Sequence, residues 1–343
     1  GMKVYIRGMQ NIFFGVMALI LLTFIGRQIL LSSKQEIKQE QTKHVVSSPT
    51  SLPSQQKNSQ TSSTIFVPYW SVTGQPLDDV SYDTSVYFGV TGGLDGISRD
   101  EGFTKVDTFM TSSQASKKLL TVRMLDSDVA SKVLGNRTLQ SNIITESLSL
   151  SEEKGFDGIV LDLEISAIAF DSLVQQIRDF TKEYAIQADK KEQSFYVAIY
   201  GDNYYRNRPF DVSVISKDAE GIFIMAYDFH KAKGNPGPNF PLQGEKTYGY
   251  DFEHMIQDFS EHTPLDKITV IFGMFGYDWT LDDKRESVEI AKPLSYYQVK
   301  QKFLDTCSFT DCKIQRDAVS SETKVTYKDA GKDHEVWFED LES

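Results

Sequence analysis

The sequence predicts an α/β fold built on a parallel sheet, arranged in the manner of a parallel barrel. Seven apolar segments have the composition of strands, and helical patterns such as residues 170–184 and 254–260 lie between them. One strand, residues 158–165, ends in two carboxylates, and parallel α/β barrels have their active sites at that end of the strands. The 343 residues suffice for one barrel of about 250 residues and an N-terminal extension.

The first 31 residues predict a membrane anchor. Lys3 and Arg7 precede an apolar run over residues 12–25, which Arg27 interrupts and residues 29–31 resume. This span has about the 20 residues that a transmembrane segment needs, and no clear cleavage site follows it. We therefore expect an uncleaved signal anchor of a single-pass cell-membrane protein, with the folded domain on the extracytoplasmic side. A cleaved signal peptide, the alternative, would make the protein secreted.

Residues 32–64 predict a flexible linker, because they are rich in Ser, Gln, Lys and Thr and have no hydrophobic period. The folded domain is expected over residues 65–343. Residues 1–64 contain seven Lys and Arg against two Glu, so the net charge of −12 leaves −17 for the domain. Such an acidic domain is a poor nucleic-acid binder, and no nucleic-acid partner is expected. The sequence does not indicate an oligomeric state.

The strand candidates follow one another along the folded domain. They are residues 65–70, 85–91, 119–124, 158–165, 195–200, 221–228 and 268–277. The region 313–340 instead predicts a two-stranded ribbon, residues 324–327 and 335–338, with a polar turn through Gly331.

The fourth strand candidate has a layout suited to catalysis. Alternation places Val160, Asp162 and Glu164 on one face, which is apolar at its start and acidic at its carboxyl end. The two carboxylates lie roughly 7 Å apart, close enough for each to influence the pKa of the other. The alternative interpretation is an ordinary buried strand whose last residues emerge into a solvated loop.

The motifs around this strand resemble those of glycoside hydrolase family 18, especially its spore-cortex and cell-wall members. Asp157, Gly158, Asp162 and Glu164 match the signature Asp-Gly-x-Asp-x-Asp-x-Glu, and Met225, Tyr227 and Asp228 match Met-x-Tyr-Asp. Residues 273–279 are similar to the seventh-strand pattern, and residues 334–340 to the segment before the last helix and strand. Val160 departs from the signature, which usually has Asp or Asn there, and an apolar residue facing a barrel interior is its ordinary explanation.

The resemblance implies a (β/α)8 TIM barrel that lacks its last helix and strand. Family members continue past the ribbon with one more helix and an eighth strand, whereas this sequence stops at Ser343. Either the sequence is part of a longer protein or the barrel stays open between its first and seventh strands.

The resemblance also implies a retaining hydrolase of β-linked N-acetylglucosamine polysaccharide, either peptidoglycan or a chitin-like polymer. Glu164 would be the acid, Asp162 would stabilise an oxazolinium intermediate, and Tyr227 would hold the attacking acetamido oxygen. The substrate-binding candidates are Asp157, Met225 and Asp228 from the motifs, together with the aromatic residues Tyr69, Trp70, Tyr277 and Trp279, which could stack on sugars or belong to the core.

No cofactor or metal is expected, because the five histidines are scattered and no metal-binding motif occurs. Cys307 and Cys312 could close a small disulfide loop outside the cytoplasm. The alternative function is a non-catalytic, lectin-like relative of the same fold. Retention of Glu164, Asp162 and Tyr227 favours the enzyme, whereas Val160 and the missing final strand favour the binder.

Overall fold

A computed structural model describes residues 62–343 except residue 166, and these residues contain two sheets. The larger sheet comprises β1 (Thr64–Pro68), β2 (Thr84–Gly93), β3 (Gly96–Ile97), β4 (Lys117–Met124), β5 (Gly158–Leu163), β6 (Ser194–Tyr200), β7 (Gly221–Ala226) and β8 (Ile268–Phe272). Its strands lie in the order β1-β2-β4-β5-β6-β7-β8, all parallel, and β3 pairs antiparallel with β2. This order confirms the predicted succession of seven parallel strands, with β1 and β8 as the two edges of the sheet.

Helices connect the parallel strands, as the sequence predicts. They are α1 (Glu101–Thr104), α2 (Val106–Ser112), α3 (Ser127–Leu134), α4 (Arg137–Lys154), α5 (Asp171–Asp189), α6 (Val212–Asp218), α7 (Glu245–Tyr248) and α8 (Phe252–Ser260), while α9 (Tyr296–Val299) lies beyond the last parallel strand. Helix α4 begins after the Asn136 side chain, which caps two backbone N–H groups, and ends at Gly155 with φ +79°. Because glycine adopts this left-handed conformation without strain, the chain turns sharply there and enters β5.

The main apolar core surrounds β5, whose six residues are all buried. Val160 is fully buried and lies in register with Thr121 of β4, while Asp162 lies in register with Arg123. Side chains of register partners in a parallel pair share one face of the sheet. The apolar start and acidic end of this face therefore occur as the alternation predicts.

The second sheet is antiparallel and corrects the predicted end of the seventh strand. It comprises β9 (Phe275–Leu281), β10 (Lys292–Ser295), β11 (Thr310–Arg316), β12 (Thr323–Asp329) and β13 (Lys332–Phe338), in the order β10-β9-β13-β12-β11. Residues 268–277 are not one strand, because the chain turns at Gly273 and passes from β8 into β9. A Cβ on Gly273 would lie 2.6 Å from the Cβ of Tyr227, so a side chain does not fit at this turn.

The predicted ribbon is confirmed as the hairpin of β12 and β13, although it belongs to this larger sheet. Cys312, within β11, forms a disulfide with Cys307, which confirms the expected small loop. The small sheet has its own apolar core, which includes Phe303, Tyr327 and Phe338.

The predicted anchor and linker, residues 1–31 and 32–64, lie outside the described residues except for the last three residues of the linker. Within residues 62–343, leaving out residue 166, no helix is long and apolar enough to cross a membrane.

Candidate active site

The carboxyl end of β5 places two carboxylates at the edge of the parallel sheet where the carboxyl ends of its strands lie, which we call the mouth of the site. Asp162 is the second-last residue of the strand and is 3% exposed, and Glu164 follows the strand directly. The backbone N–H of Glu164 donates to the carbonyl oxygen of Met124, at the end of β4, over 3.0 Å. This bond extends the pairing of β4 and β5 by one residue and so holds Glu164 on the same face as Asp162.

Glu164 has the surroundings of a proton donor. Burial raises its pKa, an effect that the charge of Lys231 and a hydrogen bond from Tyr200 oppose. The Tyr200 hydroxyl, at the end of β6, donates to Glu164 Oε2 over 3.3 Å. The carboxyl group is thus oriented by one donor, and its burial keeps it protonated to higher pH than an exposed glutamate.

Asp162 is the most buried acid of the site, and its Oδ1 makes no hydrogen bond to a described residue. Burial and the negative charge of Glu164 raise the pKa of Asp162, whereas Arg123 lowers it. Two neighbouring buried carboxylates cannot both ionise freely, so the pair retains a proton at pH values where exposed carboxylates have lost theirs.

Tyr227 and Asp228 follow β7 and lie beside this pair. Burial and the charges of Asp162 and Glu164 keep the pKa of Tyr227 well above its usual value, so its hydroxyl stays a hydrogen-bond donor. Asp228 has φ +58°, an uncommon conformation for a residue with a side chain. The Tyr277 hydroxyl donates to Asp228 Oδ1 over 2.7 Å, which joins two of the predicted site residues.

Asn239 holds the backbone of Asp228 in this conformation. Its Oδ1 accepts the N–H of Asp228 over 2.7 Å, and its Nδ2 donates to the carbonyl oxygen of Gly273 over 3.1 Å. Glu322, just before β12, accepts the N–H groups of Asn239 and Phe240, each over 2.7 Å. The second sheet therefore fixes the loop that positions the end of β7.

Arg123 is a buried cation that the sequence motifs did not indicate. It is 8% exposed, and its Nη2 donates to the carbonyl oxygen of Gly89 over 3.0 Å and to the hydroxyl of Thr91 over 2.9 Å. Its guanidinium carbon lies 5.1 Å from the ring centre of Tyr69 and 5.0 Å from that of Phe88. An arginine inside an apolar strand, residues 119–124, was the sequence signal that could have indicated it.

The structure separates two predicted substrate contacts from the site. Asp157 precedes β5 at its amino end, where its carboxylate accepts the N–H of Lys118 over 2.7 Å. The length of β5 therefore lies between Asp157 and Glu164, which makes Asp157 a structural residue. Trp279 is 0% exposed within the second sheet and has no surface available for a sugar.

The other predicted contacts divide between core and mouth. Met225 is buried in β7 and belongs to the core. Trp70, at the carboxyl end of β1, is 60% exposed and available for stacking. Tyr69 is half-buried, and its ring packs against the guanidinium group of Arg123, which leaves only part of it available for a sugar.

Comparisons with known proteins agree with this arrangement. The family model "Glycosyl hydrolases family 18" matches residues 26–343. The putative sporulation-specific glycosylase YdhD of Bacillus subtilis is 28% identical over 230 residues, which cover 65% of this chain and 50% of that protein. This chain thus spans about half the length of that curated relative.

Solved structures share the fold. The Bacillus cereus spore cortex-lytic enzyme SleL aligns with a TM-score of 0.64 and 19% identity over 82% of this chain and 65% of that one. A mutant class V chitinase from Nicotiana tobaccum in complex with NAG4 aligns with a TM-score of 0.67 and 13% identity over 82% of this chain and 87% of that one. At these identities the two alignments establish the fold alone.

Proposed function

The chain belongs to the glycosyl hydrolases of family 18, and we propose that it is a glycosidase that cleaves β-linked N-acetylglucosamine-containing polysaccharide with retention of configuration. The observation that carries the proposal is the group of buried Asp162 and half-buried Glu164 and Tyr227 at the carboxyl ends of β5 and β7. The group offers one acid whose pKa is raised, a second carboxylate and a tyrosine hydroxyl.

Substrate-assisted catalysis suits these three residues. Glu164 protonates the glycosidic oxygen as its bond to the anomeric carbon breaks, and the carbonyl oxygen of the substrate's acetamido group forms the new bond to that carbon. Asp162 accepts a hydrogen bond from the acetamido N–H and stabilises the positive charge of the oxazolinium intermediate. The Tyr227 hydroxyl donates to the attacking carbonyl oxygen and keeps it in line.

Water then completes the reaction. Glu164, now a carboxylate, accepts a proton from the water as its oxygen attacks the anomeric carbon and the acetamido oxygen departs. The two displacements at one carbon retain the anomeric configuration. Support for a single acid in both steps comes from the raised pKa of Glu164 together with its hydrogen bond from Tyr200.

Valine at position 160 is compatible with this mechanism. It is fully buried among the interior side chains of the sheet, and Asp162 has the buried cation Arg123 as its register partner. An arginine favours the ionised form of a neighbouring carboxylate. Arg123 therefore supplies Asp162 with an electrostatic partner where the usual acid of the signature is replaced by valine.

Peptidoglycan or a chitin-like polymer is the proposed substrate, and the extracytoplasmic side of a membrane is the proposed location. The location rests on the apolar residues 12–31 and on the disulfide between Cys307 and Cys312, which is typical of oxidising compartments. The named relatives, a sporulation-specific glycosylase and a spore cortex-lytic enzyme, support a wall polymer.

The test is release of reducing ends from N-acetylglucosamine oligomers and from peptidoglycan by the full chain and by Glu164→Gln. We expect release by the wild type and a loss of at least about 100-fold in the variant, since the acid contributes about 10²–10⁴-fold. Glu153→Gln, which changes an exposed carboxylate on α4, is the matched control and should keep its activity. A folded wild type that releases nothing from any polymer would refute hydrolysis and leave only sugar binding.

A further inference from the structure

Lys231 is a cation at the site that forms no salt bridge with a carboxylate of the described residues, although its charge lowers the pKa of Glu164 and Asp228. It is half-buried on the loop after β7, three residues beyond Asp228. Its Nζ lies 5.4 Å from the ring centre of Tyr200, whose hydroxyl donates to Glu164. Among the described residues, no carboxylate oxygen lies within 4.0 Å of this ammonium group and no side chain accepts a hydrogen bond from it.

The neighbouring cations differ from Lys231 in this respect. Arg206 and Arg208 both pair with the buried carboxylate of Asp202, Arg206 over 3.0 Å. Arg123 donates to oxygen atoms of β2. Lys231 thus has a half-buried ammonium group whose hydrogen-bonding capacity remains available to a ligand, whereas the unpaired Nε of Arg123 is a buried atom.

The backbone holds Lys231 in place. The N–H of Gly234 donates to the Lys231 carbonyl oxygen over 2.8 Å, which closes a turn, and the N–H of Ala291 donates to the carbonyl oxygen of Ala232 over 2.8 Å. His230, the preceding residue, bonds through Nδ1 to the carbonyl oxygen of Pro238 over 2.7 Å. A cation on a fixed backbone binds a ligand at a lower entropic cost than one on a free loop.

We propose that Lys231 binds a carboxylate carried by the substrate, and that the preferred substrate is a glycan with acidic amino sugars whose lactyl ether carboxylates are free, as in N-acetylmuramic acid residues without stem peptides. This inference rests on the proposed function. The ammonium group lies near both Glu164 and Asp228, so the carboxylate would be bound close to the bond that is cleaved. An acidic protein surface repels such a substrate, which makes a local cation a strong determinant of its binding.

A bound carboxylate would also assist the acid. Burial raises the pKa of Glu164, and the charge of Lys231 opposes this effect. A substrate carboxylate that neutralises Lys231 removes the opposition, and Glu164 then holds its proton to higher pH. Neutral sugars leave the charge of Lys231 in place.

The test compares one glycan in two forms with the full chain. Peptidoglycan strands freed of stem peptides are used directly and after carbodiimide coupling to methylamine, which converts each lactyl carboxylate into an uncharged amide. We expect kcat/KM to be about 10-fold higher for the carboxylate form, as one charge-assisted hydrogen bond provides. Lys231→Met should bring the ratio close to 1, and Lys231→Arg should retain the preference.

Lys233→Met is the matched control, since it removes an exposed lysine of the same loop and should leave the ratio as in the wild type. Thermal unfolding checks that each variant is folded. Binding of both glycan forms to Glu164→Gln measures the same preference as a ratio of Kd values without hydrolysis.

The outcomes separate the two proposals. Hydrolysis of both forms at equal rates, or a preference that Lys231→Met does not alter, overturns the role of Lys231 and leaves the hydrolase intact. A wild type that hydrolyses neither form nor N-acetylglucosamine oligomers refutes the hydrolase, and the Kd ratio then decides the role of Lys231 by itself.

Discussion

Replacement of Asn239 by alanine tests whether one buried amide holds the active-site loop. The side chain is 1% exposed and makes three hydrogen bonds to the backbone, with the N–H of Asp228 at 2.7 Å and the carbonyl oxygens of Gly273 and Phe275 at 3.1 and 3.4 Å. These bonds join the end of β7 to the turn between β8 and β9. Asn239→Ala removes all three and leaves the backbone groups buried without those partners.

The expected loss follows from the number and length of the bonds. A hydrogen bond contributes about 0.5–1.5 kcal/mol, and the bond at 3.4 Å is weak, so we expect the free energy of unfolding to fall by about 2–3 kcal/mol. The left-handed conformation of Asp228 also loses its support. Because Asp228 then moves relative to Glu164, kcat should fall more than KM rises.

Urea unfolding and steady-state kinetics on the same preparation measure both effects. The control is Asn235→Ala, an exposed asparagine of the same loop whose Oδ1 accepts the N–H of Ser287, and its free energy of unfolding should change by no more than about 0.5 kcal/mol. A loss below about 1 kcal/mol in Asn239→Ala, with unchanged kcat, would show that the amide does not hold the loop.

Three further predictions concern the remaining unusual features. Arg123→Met removes the cation that opposes the burial-raised pKa of Asp162, so that pKa should rise further and the acidic limb of the kcat/KM profile should move to higher pH; an unmoved limb would mean that Asp162 does not need to ionise. Burial raises the pKa of Glu322 to about 8 from its ordinary value, so its contribution to stability is full at acidic pH and is lost as pH rises through about 8. Glu322→Gln removes this titration. In urea unfolding over about pH 4–9, the free energy of unfolding of the variant should therefore decline less with pH than that of the wild type. Parallel pH dependences for the two proteins would contradict this prediction. Replacement of both Cys307 and Cys312 by serine should lower the free energy of unfolding by about 2 kcal/mol, because the closed loop is short, and thermal unfolding with and without reductant should reproduce the loss in the wild type but not in the variant.

Local sequence patterns were sufficient for the parallel strands and for the paired carboxylates of Asp162 and Glu164. A strand has a side-chain period of two, so the apolar and acidic positions of residues 158–165 predicted which side chains share a face. The carboxyl ends of parallel strands lie at one edge of a sheet, which brought Glu164 and Tyr227 together without knowledge of the loops. The short spacing of Cys307 and Cys312 likewise allowed the disulfide to be expected.

Residues whose role depends on distant partners could not be predicted in this way. Asp157 matches a motif, yet its place at the amino end of β5 assigns its carboxylate to Lys118. The sequence makes Trp279 a candidate for stacking on a sugar. In the structure the chain turns at Gly273, so Trp279 lies in the second sheet, where it is buried.

The sequence by itself determined the order of the elements and the acids at the end of β5, because both depend on the period of neighbouring residues. Only the tertiary structure decided how the site is held. Glu322 lies 83 residues from Asn239 along the chain and accepts its N–H. Arg123 lies in register with Asp162 on the adjacent strand. Burial then shifts the pKa of Glu322 and Asp162, and burial is a property of the packed molecule that no local pattern specifies.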